Sequence, residues 1–335
     1  MTTADQSSLL RLADGLSGRR VLVVGDVLLD EYLIGRASRL SREAPIPVLE
    51  FERREAIPGG AANPAANAAA LGSKPVQIGV VGDDASGATL RELLAGRGID
   101  PGGLVTDAGR QTTTKTRLLA HMGLRFPQQV ARIDRIDRRP ISPDVAGAVV
   151  ERAQAFIADA EAVMLSDYLA GLLTAPVVAA IREACAARGL LATADAQGEL
   201  EKYAGFDLVK CNAEEARRFA GRALTSDADF GRAGAAMAAS LGLRRGMLIT
   251  RGADGITFAG RDGDALHVPA PRVADVYDTV GAGDTVLAVV TLALAAGGSY
   301  GEAAALANLA AGIVIRHVGN YAPTLAELRA AVAST

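Results

Sequence analysis

From Asp278 to Asp284 the chain reads Asp-Thr-Val-Gly-Ala-Gly-Asp, and an apolar run from Thr285 to Ala296 follows, closed by Gly297-Gly298. Such a run predicts a helix whose first residues are small. A helix N-terminus presents unpaired N–H groups and a partial positive charge, so it attracts anions such as phosphate. Gly281, Ala282 and Gly283 would let the backbone close on an anion without bulky side chains in the way. An acid beside them would repel phosphate unless its task is to take a proton. A base next to an anion cradle is what phosphoryl transfer to an alcohol requires, and Asp284 is the candidate base. The plainer alternative is a tight turn in which Asp284 caps the helix.

Other polar residues fall where strands end or helices start. The run Arg20-Val21-Leu22-Val23-Val24-Gly25 has the β-branched character of a parallel strand buried on both faces, and it leads into Asp26 and Asp30. Ligands of open α/β sheets sit at the carboxyl ends of strands, so these two acids are placed to meet sugar hydroxyls, unless one only caps a turn. Pro58-Gly59-Gly60 opens an Ala-rich segment to Leu71-Gly72, with Asn63 near its start. Gly59, Gly60 and Asn63 read as a polyol-binding corner; the alanines read as close helix–sheet packing. Further on come Asn212-Ala213-Glu214-Glu215 and the turn Thr250-Arg251-Gly252-Ala253-Asp254-Gly255.

The elements that must hold these groups alternate regularly. Leucines at helical spacing predict an amphipathic helix within residues 1–18. Strands are expected at 20–25, 76–81, 162–167, 190–195, 208–210 and 247–250, and helices after Asp84 to Ala95 and at 143–160, 174–188, 226–242, 282–296, 300–316 and 324–333. A hairpin pairs 256–259 with 265–268. Two stretches break the rhythm, about 31–57 and 110–137. Pro45 and Pro47 exclude a helix in the first, and both carry strand-like runs, so they are expected to form a small β-layer acting as a lid. The charges from Arg132 to Arg139 alternate in sign, as on a solvated strand edge. No repeat or low-complexity linker divides the chain, which is expected to be one domain over 1–335. The expected class is α/β with a doubly wound, mostly parallel sheet.

Composition narrows the chemistry. The chain has 335 residues, 50% hydrophobic and 22% charged, with a net charge of −3, which gives no reason to expect nucleic acid as a partner. Two cysteines, Cys185 and Cys211, make no disulfide framework, and three scattered histidines disfavour a histidine metal site or a Ser-His-Asp triad. The N-terminus lacks the apolar core of a signal peptide, and the run 285–296 is too short to span a bilayer, so a cytoplasmic enzyme away from membranes is expected. Gly281-Ala282-Gly283 lacks the third glycine of a dinucleotide fingerprint and sits late in the chain. There is no P-loop, no protein-kinase set of loops and no G-x-S-x-G elbow.

Taken in order, Gly59-Gly60…Asn63, Asn212…Glu215, Thr250…Gly255 and Asp278 to Asp284 resemble the motifs of the ribokinase-like (PfkB-type) carbohydrate kinases along nearly the whole chain. Within that family, residues 25–32, 41–48 and 58–71 are most similar to the D-glycero-β-D-manno-heptose 7-phosphate kinases. In many bacteria that kinase is fused to a nucleotidyltransferase, for which 335 residues leave no room. The resemblance implies the ribokinase-like fold and an ATP- and Mg²⁺-dependent sugar kinase, with a heptose 7-phosphate as first choice of acceptor and another sugar, nucleoside or sugar phosphate as the alternative. A non-catalytic nucleotide- or sugar-binding regulator is the rival from another class.

It also implies roles. Asp284 would deprotonate the acceptor, and the N–H groups of Gly281, Ala282, Gly283 and Asp284 would hold the transferring phosphoryl. Asn212 and Glu215 would organise Mg²⁺ and the ATP phosphates, Glu215 through water. Thr250, Gly252, Gly255 and Asn308 would border the nucleotide. Asp30, Gly59, Gly60 and Asn63 would hold the sugar, and Asp278 would help hold K⁺. Relatives often pair through the lid, and Ile46, Val48, Leu49 and Phe51 offer an apolar edge for a homodimer. Two departures bear on the acceptor: Ala170 and Gln197 stand where the heptose kinases usually carry lysines. Lys115, Arg117 and Arg132 could compensate from the lid, with Lys210 nearer the nucleotide side.

Overall fold

The computed structural model describes residues 5–123, 127–273 and 276–335. Residues 1–4 of the expected first helix and 124–126 of the expected lid lie outside them. In chain order the helices are α1 (Gln6–Asp14), α2 (Ala62–Ala70), α3 (Ala85–Ala95), α4 (Pro143–Ile157), α5 (Ala175–Ala187), α6 (Ala213–Ala220), α7 (Asp227–Ser240), α8 (Ala282–Ala295), α9 (Tyr300–Val314) and α10 (Leu325–Ala333). The strands are β1 (Arg20–Gly25), β2 (Val27–Leu40), β3 (Pro47–Gly60), β4 (Lys74–Val81), β5 (Leu104–Thr106), β6 (Thr114–His121), β7 (Gln128–Arg135), β8 (Ala162–Ser166), β9 (Leu191–Asp195), β10 (Leu208–Asn212), β11 (Gly246–Thr250), β12 (Ile256–Gly260) and β13 (Ala265–Val268).

Nine strands form one sheet in the order β13-β12-β11-β10-β9-β8-β1-β4-β5. The pairs from β11 to β5 are parallel, and only β11–β12 and β12–β13 run antiparallel. Alternate residues of β1 feed opposite cores. Val21 and Val23 pack with α1, α2, α8, α9 and α10, whereas Leu22 and Val24 pack with α4, α5 and α7. A strand buried on both faces needs apolar residues throughout, which is why this run is continuous rather than alternating. The expected ribokinase-like α/β fold is what the chain adopts, with α6 and the short edge strand β5 in addition to the elements read from the sequence.

A second sheet, in the order β3-β2-β6-β7, falls on the two stretches that break the helix–strand rhythm. One expectation changes here. Asp26 and Asp30 do not lie together beyond a strand end: Asp26 occupies the bend between β1 and β2, while Asp30 lies within β2, paired to Ile57. The strand leaves the main sheet and enters the second after a single residue.

At the carboxyl edge of the main sheet the register sets Gly25 beside Ser166, Ser166 beside Asp195, Asp195 beside Lys210, and Asn212 beside Thr250. Strands placed to either side of β1 diverge there, which is where open α/β sheets form their crevices. No described helix is long and apolar enough to cross a membrane.

Candidate active site

The α8 helix starts on Gly281, whose φ of +81° lies in the left-handed region that favours glycine. Residues Asp284 to Leu294 are buried, so the helix enters the core as an apolar rod and fixes its own first turn. Asp284 does not cap it. Its carboxylate makes no bond to the helix amides; instead Oδ1 and Oδ2 accept from the Tyr168 hydroxyl at 3.0 and 2.9 Å, and Oδ2 accepts from Asn63 Nδ2 at 3.1 Å. Of the amides expected to hold an anion, that of Ala282 donates to the Thr279 carbonyl at 3.4 Å, while the N–H groups of Gly283 and Asp284 donate to no acceptor among the described residues. Two free amides beside a buried carboxylate are a place for an anion and a proton acceptor side by side.

Burial, then the charge of Asp195, pushes the Asp284 carboxyl up to about 6; Lys210 and the bonds from Tyr168 and Asn63 oppose this. Lys210 is itself buried and donates to Asp195 Oδ2 at 2.6 Å. Burial lowers its affinity for a proton, but the Asp195 carboxylate outweighs that and the ammonium is held above its ordinary pKa. A Cβ placed on Gly283 would lie 3.1 Å from Lys210 Nζ, so a positive charge flanks the glycine turn.

On the side facing the second sheet, Asp30 accepts from Arg117 Nη1 and, at 3.0 Å, from Asn320 Nδ2. Gly59 packs directly on it: a Cβ there would lie 2.2 Å from Asp30 Oδ2. Gly60, at φ +63°, would put one 2.3 Å from the Asp26 carbonyl oxygen. These two glycines therefore admit the protein's own groups. Asp26, which also lines the cavity beside Tyr168, has most of its acceptor capacity taken by the protein itself. Its carboxylate accepts from the backbone N–H groups of Tyr168, Ala170 and Leu172 at 3.0, 3.0 and 3.1 Å, and ties down the loop after β8. Asn63 likewise turns its amide nitrogen to Asp284.

Of the expected lid cations, Arg117 is paired with Asp30, and Arg132 makes a two-pronged bond to Asp134 at 2.8 and 2.9 Å. Lys115 enters no ion pair among the described residues; its ammonium lies 5.6 Å from the Tyr168 ring centre. Lys115, Arg132 and Arg138 line a cavity of about 200 Å³ with Tyr168, Ala170 and Gln197.

On the other side, Asn212 and Glu215 form a reciprocal capping box on α6, with bonds of 2.7 and 2.9 Å. The pair thus serves the helix start itself. Glu215 Oε1 takes no part in the box, and burial raises the Glu215 carboxyl above its ordinary value. Thr250 ends β11 beside Asn212, with Gly252 and Gly255 in the turn after it. A Cβ on Gly255 would strike the Val268 carbonyl oxygen at 2.3 Å, which accounts for that glycine by packing. Asn308 donates to the Val268 and Pro269 carbonyls at 2.9 and 3.2 Å, so its amide nitrogen holds the end of β13 to α9. Asp278 accepts from the N–H groups of Val280 and Gly319 at 3.0 Å each, joining two loops.

Tyr168, Asn320 and Asp195 are not among the site residues expected from the sequence, and Lys210 was expected only toward the nucleotide side. Tyr168 reaches Asp284, Asn320 reaches Asp30, and the Asp195–Lys210 pair underlies the glycine turn. The available signal was an acid at the end of β9 and a lysine within β10, which come side by side when those parallel strands pair.

The chain matches the model of the pfkB family carbohydrate kinases over residues 19–327. It is 41% identical over 328 residues to the bifunctional protein HldE of Caulobacter vibrioides, covering 98% of this chain and 66% of that one. With HldE of Geobacter metallireducens it shares 39% identity over 312 residues, 92% of this chain and 61% of that one. The chain thus spans about two-thirds or less of the length of these relatives. Among solved structures, Arabidopsis thaliana ribokinase complexed with ribose and ATP superposes with a TM-score of 0.72 at 21% identity, covering 94% of this chain and 99% of that one. Phosphofructokinase-2 from Escherichia coli in complex with potassium gives a TM-score of 0.74 at 20% identity, covering 95% and 99%. With the motifs in order, the fold in place and the family model matched over nearly its whole length, this chain belongs to the pfkB family of carbohydrate kinases.

Proposed function

We propose that this kinase moves the γ-phosphoryl of ATP to a hydroxyl of a sugar that already carries a phosphate, with D-glycero-β-D-manno-heptose 7-phosphate as first choice. The observation that carries the reading is the buried Asp284 carboxylate beside the free amides of Gly283 and Asp284. Asp284 takes the proton of the attacking hydroxyl, and those amides, with Lys210 behind Gly283, meet the charge on the phosphoryl oxygens. Asn212 and Glu215 sit on the nucleotide side. Glu215, whose Oε1 takes no part in the capping box, would fit a magnesium ion that takes its other ligands from phosphates and water. When bound, that ion would neutralise phosphate charge during transfer. The phosphorylated acceptor is supported by the cavity beside Tyr168, where Lys115 and Arg138 enter no ion pair among the described residues. They offset the lysines that Ala170 and Gln197 replace.

An ADP-release assay across heptose 7-phosphate, fructose 6-phosphate, ribose and nucleosides tests this. Turnover dominated by the heptose phosphate is expected. A preference for an unphosphorylated acceptor would overturn the substrate, and silence with every acceptor would favour a binding regulator. Acid limits the reaction as well: Asp284 must be ionised to act, so kcat/KM is expected to fall as pH drops through about 6.

The second sheet closes over the acceptor as a lid and excludes water. Ile46 and Phe51, both exposed on it, suit pairing with a second copy of the chain. Potassium would bind by the loops that Asp278 joins, with Asp278 shaping them, and stimulation by K⁺ but not Na⁺ is the corresponding measurement. An ATP-using enzyme of this kind is expected in the cytoplasm.

A further inference from the structure

The hydroxyl of Tyr168 bridges both oxygens of Asp284, at 3.0 and 2.9 Å. An alcohol donating to the catalytic carboxylate is also the arrangement that an acceptor sugar must reach before transfer. Tyr168 is thus an alcohol of the protein on the base that serves the substrate's alcohol. We infer that the Tyr168 hydroxyl holds the acceptor's place on Asp284 while the cleft lacks sugar, denies the base to water, and gives way when the acceptor hydroxyl arrives. The inference rests on the reading of Asp284 as the base.

The backbone that carries Tyr168 is over-determined. Asp26 accepts from the N–H groups of Tyr168, Ala170 and Leu172. Asp167 Oδ1 accepts from Leu169 N–H at 2.8 Å, and its Oδ2 accepts from Lys202 Nζ and Tyr203 Oη at 2.7 Å each. Leu169, at φ +54°, is the one described non-glycine residue with positive φ, a conformation that persists only where surrounding bonds enforce it. Such a loop does not drift, so the ring itself is the part that moves. It borders the 200 Å³ cavity and lies beneath Lys115, a residue of β6 in the second sheet. An acceptor phosphate drawing Lys115 toward itself would loosen the ring from above, which links arrival of the sugar to release of the base.

The surroundings make the hydroxyl a donor throughout. Burial and the Asp284 charge raise the Tyr168 phenol well above its ordinary pKa, with Asp195 and Asp30 adding to the effect. Asp284 is faced by Tyr168 from the loop after β8, Asn63 from α2, Asp195 from β9 and Lys210 from β10; Glu215 of α6 acts on Lys210. The Tyr168 bond, together with the Lys210 charge and the Asn63 bond, holds Asp284 toward its ionised form, so loss of that bond raises the pH at which the base protonates.

Tyr168→Phe removes the hydroxyl and leaves every backbone bond of the loop. ATP hydrolysis without acceptor is expected to rise severalfold. The acid limb of kcat/KM, which reports the free enzyme, should move to higher pH, while that of kcat, which reports the loaded enzyme, stays. The rise in hydrolysis should vanish in the Tyr168→Phe, Asp284→Asn double variant. Unchanged or lower hydrolysis, or both limbs moving together, would overturn the inference. Should the variant fold poorly, wild-type enzyme labelled with fluorotyrosine gives a second readout. One of its six tyrosine signals is expected to shift on saturation with heptose 7-phosphate, and no shift in any would refute displacement. Full turnover by Asp284→Asn would instead remove the premise, and so marks failure of the base assignment rather than of the gate.

Discussion

Two glycine-bearing turns open two helices that pack on one another, and they use glycine for opposite reasons. At Gly59-Gly60, before α2, a Cβ would meet a carboxylate oxygen at 2.2 Å and a carbonyl oxygen at 2.3 Å; the space is filled by Asp30 and Asp26. At Gly281 and Gly283, opening α8, it would come nearest the side-chain ends of Asn320 at 3.3 Å and Lys210 at 3.1 Å. There the protein leaves room, and the Gly283 and Asp284 amides are unbonded among the described residues. The helices are stitched together by Asn63 to Asp284 and by Thr285 Oγ1 to Asn67 Oδ1 at 2.8 Å. Glycine beside a helix start therefore says that something comes close, but not whether it is protein or ligand.

The largest test of this contrast is Asp284→Asn. Turnover is expected to fall about 10²–10⁴-fold, the range for a lost general base. Its stability should move the other way. Because the folded carboxyl titrates at about 6 rather than 3.8, the native state holds its proton over that window and loses stability as pH rises through it. Asparagine removes that penalty. Denaturant titration should then show a gain at pH 7–8 of up to about 3 kcal/mol that disappears below pH of about 4.

The two glycine turns should then separate cleanly. Gly283→Ala is expected to lower turnover roughly tenfold or more by crowding the anion position, with little change in melting temperature, since only the flexible Lys210 end must shift. Gly59→Ala should do the reverse: overpacking against Asp30 costs about 1–3 kcal/mol, read by denaturant titration. Equal effects on both properties at both sites would break the comparison. A smaller effect is expected from Thr285→Val, which cuts the stitch to Asn67 without touching the amides. Its stability loss should be about 1 kcal/mol, with turnover nearly intact.

Much of the fold was legible because period and punctuation are local properties. The apolar run of β1, the Ala-rich α2 and the buried α8 follow from which side chains can face a core on one side or both. Asp284 beside small residues at a helix start was legible for the same reason. That the oxygens of Asp26 also hold amides of a loop more than 140 residues away is encoded by no local pattern. Arg117 and Arg132 read as free cations until pairing set Asp30 and Asp134 against them.

What the sequence by itself determined is the order of elements and the chemical types they carry: an acid after two glycines, an asparagine and a glutamate three residues apart, a lysine within a strand. Those depend on covalent spacing and on propensities that act over a few residues. Only the tertiary structure decided that Asp284 turns inward rather than caps, that Tyr168 and Asn63 share it, and that Asp195 and Lys210 bias its proton. Burial and charge act through space, and their strength depends on which strand ends the sheet brings together.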